Sequence, residues 1–166
     1  MRNMKKVMLT LLAFASALSV FAQKNDVELV GPWSLVSIDN IYPDGTRVHP
    51  YGENPDGLLM FDDEGNYAIQ ILRASRPKIA SADKNNCTPE EYASIVKGTN
   101  SHYGTYQLNS TEKTITFNIA HASFPNWEGT VQERSFTLEN NKIKYVVTRT
   151  TQGGQSVIAE VVWEKM

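Results

Sequence analysis

The sequence predicts an all-β domain: an antiparallel up-and-down β-barrel of eight or nine strands with one short inserted helix at about 88–97. Three observations point there. Apolar and polar residues alternate with period two through most of the chain, as half-buried antiparallel strands require. Clusters of Gly, Pro, Asn and Asp separate the alternating runs. The chain has 166 residues, which suits one domain with a real core. Such a series of strands must close or stack to hide its edges.

The first segment stands apart. Arg2, Lys5 and Lys6 form a positive head, an apolar run extends over residues 7–20, and Val20-Phe21-Ala22 offers compact residues at a cleavage site. Residues 1–22 are therefore expected to be a signal peptide, leaving 23–166 as the barrel domain and no transmembrane segment after cleavage. The apolar run is shorter than the ~20 residues of a membrane-spanning helix. No cysteine follows the cleavage site, so a lipid-modified terminus is not expected. The product is expected to be exported, periplasmic or secreted.

In the remaining chain, strands are expected near 30–39, 57–61, 67–73, 102–108, 114–122, 131–138, 142–149 and 156–163, with a short one near 46–49. The helix is predicted by Thr88-Pro89-Glu90-Glu91, which puts a capping hydroxyl at the N-cap, proline at N1 and a carboxylate at N3. Tyr92, Ile95 and Val96 share one of its faces and Gly98 ends it. A helix this short is expected to dock on the sheet.

The connections are unequal. Residues 62–65, 109–113 and 140–141 read as tight turns; 40–56, 74–101 and 123–130 are long, and 150–155 is intermediate. In an up-and-down arrangement the tight turns fall at one end and the longer connections at the other, giving a cup. Trp33 enters the first strand and Trp163 leaves the last, so both are expected at the pinched end as aromatic plugs.

Apolar residues set the inward phase of each strand. Tyr67, Ile69 and Ile71 are continued by Arg73; Ile115, Phe117 and Ile119 by His121. Phe136 and Leu138 put Arg134 and Gln132 in phase, and Ile143, Tyr145 and Val147 lead to Arg149. Arg73, His121, Gln132, Arg134 and Arg149 thus fall toward the open end, over an apolar floor. Such a rim suits an amphipathic anion, because arginine grips a carboxylate with two parallel hydrogen bonds. The alternative is that these side chains turn out to solvent at the strand ends. Trp127, in a long loop at the open end, is a lid over either a guest or the protein's own core. His121, near Tyr103 and Tyr106, is the one candidate acid or base, against a purely structural imidazole, since no carboxylate is placed by sequence to orient it. His49 and His102 read as loop or rim residues.

Several classes fall away. With 16 basic against 18 acidic side chains and no basic stripe, nucleic acid is not an expected partner. The single cysteine, Cys87, permits no internal disulfide and no CxxC site. No HxH, HExxH or carboxylate cluster suggests a metal, no GxGxxG or P-loop pattern suggests a nucleotide cofactor, and no GxSxG pattern suggests a serine nucleophile, so neither metal nor cofactor is expected.

Six blocks carry a resemblance. They are Leu29-Val30-Gly31-Pro32-Trp33-Ser34-Leu35-Val36-Ser37, Tyr51-Gly52-Glu53-Asn54-Pro55-Asp56-Gly57-Leu58-Leu59, and the loop dipeptide Arg76-Pro77. Thr88-Pro89-Glu90-Glu91-Tyr92, Tyr103-Gly104-Thr105-Tyr106 and Phe124-Pro125-Asn126-Trp127-Glu128-Gly129-Thr130 follow in order. With the Gly-x-Trp opening, this order resembles the lipocalin-like domain family of bacteria and fungi. The resemblance implies a calycin-type antiparallel barrel. It implies no catalytic residue and no particular ligand. The sequence departs from well-studied secreted lipocalins in having no cysteine pair, and a C-terminal helix after the last strand is not expected.

Three readings of function stay open. The first is an exported module that binds a small hydrophobic or amphipathic molecule in the cup, using Arg73, Tyr103, His121, Trp127, Gln132, Arg134 and Arg149. The second is an isomerase, cyclase or lyase in the same cavity, with His121 as acid or base. The third is a structural or interaction protein whose barrel is filled.

Overall fold

The computed structural model describes residues 28–152 and 154–166, apart from the side chains of Arg149, Thr151 and Gln152. The expected signal peptide, 1–22, lies outside the described residues.

Among the described residues nine strands follow in chain order: β1 (Gly31–Ile41), β2 (Arg47–Val48), β3 (Asp56–Phe61), β4 (Asn66–Leu72), β5 (Thr99–Asn109), β6 (Thr114–Ala122), β7 (Val131–Glu139), β8 (Lys142–Gln152) and β9 (Gln155–Lys165). Each pairs antiparallel with the next, save that β1 pairs with both β2 and β3, and β1 also pairs with β9. Eight strands therefore close a barrel, and β2 is a short addition at the edge of β1. Closure removes the exposed edges that the strand count made a problem. Among the described residues no helix is long and apolar enough to cross a membrane.

Tight turns at 62–65, 110–113 and 140–141 lie at one end, beside the start of β1 and the finish of β9. The longer connections lie at the other. One connection differs from expectation: 150–155 is not a loop of intermediate length. β8 and β9 pair out to Gln152 and Gln155, and Gly154, between them, adopts φ +83°. Glycine takes that conformation without steric cost, which lets the ladder run to its tip.

The closed end is sealed by aromatic residues. Trp33 and Trp163 are buried on the adjacent strands β1 and β9, where Leu35 pairs with Trp163. Residues 28–30 cross beneath them: Leu29 is buried and its carbonyl accepts the Trp33 indole N–H at 2.8 Å. The Lys165 ammonium donates to the Glu28 and Val30 carbonyls and stands 5.0 Å from the Trp33 ring centre. Above this base comes a layer of rings: Phe61 against Tyr106 at 4.5 Å, Tyr67 against Phe117 at 4.7 Å, and Phe117 against Tyr145 at 6.1 Å. The lower half of the barrel is thus a packed core.

Helix α1 (Pro89–Lys97) carries the expected capping box, with Thr88 Oγ1 accepting from the Glu91 N–H and Glu91 Oε2 accepting from the Thr88 N–H. Its docking differs from expectation. No residue of α1 is buried, and Tyr92, Ile95 and Val96 are all exposed. The helix is fastened through its ends instead. Gly98, which follows it, is buried and accepts a hydrogen bond from the Arg73 backbone. Glu91 also accepts from the Ala80 N–H of the preceding loop.

Candidate functional site

The upper half of the barrel is open. It holds a cavity of about 620 Å³ lined by all of the barrel strands except β3 and β6. Ile38, Ile71, Val147 and Val161 supply apolar wall, and Tyr51 and Trp127 reach in from the loops at the mouth.

Three bulges decide which side chains face this space. In β1 the pairing with β9 slips between Leu35 and Ser37, so Trp33 and Leu35 point inward below the slip and Ile38 and Asn40 above it. In β8 it slips between Val147 and Thr150. In β6, Ile119 pairs with Gly104 but His121 pairs with Tyr103, which leaves Ala120 as an extra residue. An extra residue in one strand reverses the alternation beyond it. Gly104 makes the third bulge possible, because a Cβ there would overlap the Asn118 carbonyl oxygen and stand 2.8 Å from the Ala120 nitrogen.

The Ala120 bulge overturns the expected placement of His121. Its side chain is 62% exposed on the outer face, 5.4 Å ring to ring from Tyr103, which is also exposed and outside the cavity. A carboxylate does accompany His121, contrary to the sequence reading: Glu128 Oε1 lies 3.5 Å from its Nδ1, carried there by the 123–130 loop. Neither His121 nor Tyr103 lines the cavity.

Arg73 is half-buried at the mouth, just beyond the end of β4. It donates to the Pro50 carbonyl at 3.0 Å, while the neighbouring Ala74 N–H reaches the Tyr51 carbonyl. Both bonds tie the 42–55 loop to β4, so Arg73 holds the mouth in shape and is not part of the lining. Arg149 lies in β8, but its side chain is outside the described residues; Thr148 and Thr150 on either side of it line the cavity.

Gln132, Arg134 and Trp127 are brought together. No slip interrupts β7, so the phase set by Phe136 carries up the strand to both polar residues. Arg134 is only 6% exposed. Its guanidinium lies 4.7 Å from the Phe117 ring centre and 4.8 Å from that of Tyr145, and one Nη donates to Gln132 Oε1 at 2.8 Å. Its Nε has no partner. The expected layout is thus inverted: the cation sits on the aromatic layer as the floor, and apolar side chains rise above it. Trp127 ends a single 3-10 turn, Pro125–Trp127, packs on Phe124 at 5.6 Å, and stands edge-on to His102 at 5.9 Å.

His102 corrects a second expectation. It is not a rim residue; it is 3% exposed and faces inward beside Arg134. Its Nδ1 lies 2.8 Å from the Tyr67 hydroxyl. Burial, aided by the nearby Arg134 charge, lowers its pKa to about 3, so the imidazole is neutral at any ordinary pH. Burial likewise pushes the Tyr67 phenol well above its usual range, opposed by Arg134. The pair is therefore a neutral hydrogen-bonded unit, and Nε2 is the nitrogen left to meet a guest. The signal was present in the sequence: Tyr106 and Leu108 set an inward phase for β5 that His102 shares. One register step closer to the mouth on that face, Asn100 presents an Oδ1 that is buried without a partner.

The arrangement is a one-ended pocket with one buried cation, whose walls are shared by aliphatic, aromatic and neutral polar side chains, with the exposed Glu133 at its edge. No curated protein matches the chain. The family profile described as a lipocalin-like domain matches residues 30–166. Through that match and its closed eight-stranded barrel, the chain belongs to the lipocalin-like domain family.

Proposed function

We propose that the chain is an exported binding protein that holds a small hydrophobic or amphipathic molecule in the open half of its barrel. The observation that carries this reading is the cavity of about 620 Å³ above a sealed base. That volume falls within the few hundred to about 1,000 Å³ typical of small-molecule sites. An eight-stranded barrel can instead be filled by its own side chains. Here the rings fill only the lower half, which favours a carrier over a filled structural barrel. Gln132, Arg134 and Trp127 are the proposed contacts among the residues named from sequence, joined by His102, Tyr145 and the aliphatic wall. An acid–base role for His121 inside the cavity loses its support, because that residue faces outward.

Export rests on the charged head, apolar run and compact cleavage site of residues 1–22. It is tested by the intact mass of the protein recovered outside the cytoplasm, which should begin at Gln23. Binding is tested by titration with a naphthylamine dye whose fluorescence rises in apolar surroundings. Saturable uptake is expected, weakened roughly tenfold or more by Ala159→Phe, which sets a ring into the cavity. Failure of the unaltered protein to take up the dye or any apolar competitor would overturn the reading.

A further inference from the structure

Among the described residues Arg134 is the buried charged group whose needs the fold leaves unmet. A guanidinium carries five N–H donors and one full charge. Here it is buried, receives one acceptor from Gln132, faces two rings, and keeps an Nε without a partner. Among the described residues no carboxylate pairs with it. The nearest acidic lining residue, Glu133, alternates with it along β7 and is exposed. An unpaired buried charge is costly, and rings and one amide compensate it only in part. Arg134 lines the cavity: its Nε is enclosed, and the Nη that is not bonded to Gln132 is the donor left for a partner that arrives from outside.

We infer that the cavity takes a small monoanionic acid, a carboxylate with an apolar body, and takes it head-first, with the acid group on Arg134 and the body toward Trp127 at the mouth. This rests on the binding reading above and adds to it the ligand's charge and direction. The match is one for one. Among the described lining residues Arg134 is the only cation, and His102 stays neutral beside it. A dianion would leave one charge without a counter-ion. Ile38, Ile71, Val147 and Val161 offer the body an aliphatic surface, and the Trp127 ring lines the cavity from the 123–130 loop.

Titration calorimetry with decanoate, decanol and decyltrimethylammonium, on the unaltered protein and on Arg134→Met, separates the possibilities. Decanoate should bind the unaltered protein roughly tenfold or more tighter than decanol, and the cationic amphiphile most weakly. In Arg134→Met the advantage of decanoate should vanish while decanol affinity stays within about threefold. Decanol bound as well as decanoate, or a preference for decanoate that survives Arg134→Met, overturns the acid assignment and leaves the carrier reading standing. No uptake of any of the three overturns both. Direction is read without altering Arg134. A decanoate brominated at its terminal carbon should quench the part of the fluorescence that Trp127→Phe removes, and one brominated beside the carboxylate should not. The reverse pattern overturns head-first entry.

Discussion

Acid should unfold this protein through His102 before its carboxylates protonate. The imidazole is almost wholly buried and bonded to Tyr67, and its pKa falls from 6.5 to about 3 on folding. Between those two values the unfolded chain binds a proton that the folded chain refuses. Stability therefore falls as pH drops through that window, and is independent of this group above it. Each pH unit well inside the window is worth about 1.4 kcal/mol, so the loss between about pH 6.5 and about pH 4.5 is about 2 kcal/mol. Asp44, Asp62 and Glu91, whose pKa values are lowered by hydrogen bonds, act in the same direction only at lower pH. The assay is urea unfolding at several pH values in this range, for the unaltered protein and for His102→Gln, whose amide cannot titrate. The two slopes against pH should differ by about 1 kcal/mol per unit or more. Parallel slopes would refute the claim that a neutral imidazole is locked inside the barrel.

Other outcomes follow from the same structure. Trp33→Ala removes a buried ring and its bond to the Leu29 carbonyl, and should cost about 3–5 kcal/mol in chemical unfolding; a loss under about 1.5 kcal/mol would contradict the plugged base. Gly104→Ala drives a methyl into the Asn118 carbonyl and should cost about 3 kcal/mol or more, or prevent folding, since backbone must move on both strands. Arg134→Met replaces an unpaired buried cation with a side chain of similar length, so thermal unfolding should show stability unchanged or raised by up to about 2 kcal/mol. A marked loss there would mean that Arg134 serves the fold and not a guest.

Architecture was legible in the sequence because period-two alternation and turn chemistry are local signals, and each strand reports its own inward face. The packed half of the barrel follows that rule: Tyr67, Ile69 and Ile71, then Ile115 and Phe117, and Ile143 and Tyr145 are all buried as expected. The cavity half does not follow it everywhere. Slips at Val36, Ala120 and the 148–149 region reverse the phase in three strands before they reach the mouth. A bulge of this kind depends on which residue the neighbouring strand offers, and no single run reveals it. β7, like β4, reaches the cavity without a slip against either neighbour, so Gln132 and Arg134 kept the phase that the sequence assigns them and His121 did not. His102 was readable from Tyr106 and Leu108 without any structure. The height of Arg134 was not: that it rests on the Phe117 and Tyr145 rings as a floor depends on strand tilt and cross-barrel packing.

Native mass spectrometry tests the central claim most directly. The protein, purified without denaturation or detergent, is weighed intact and again after unfolding in acid. A carrier should show an extra mass that accompanies the folded protein and disappears on unfolding, and the stripped protein should regain a complex when offered a small apolar acid. A folded protein that shows only its polypeptide mass, and stays bare when offered such molecules, would contradict it.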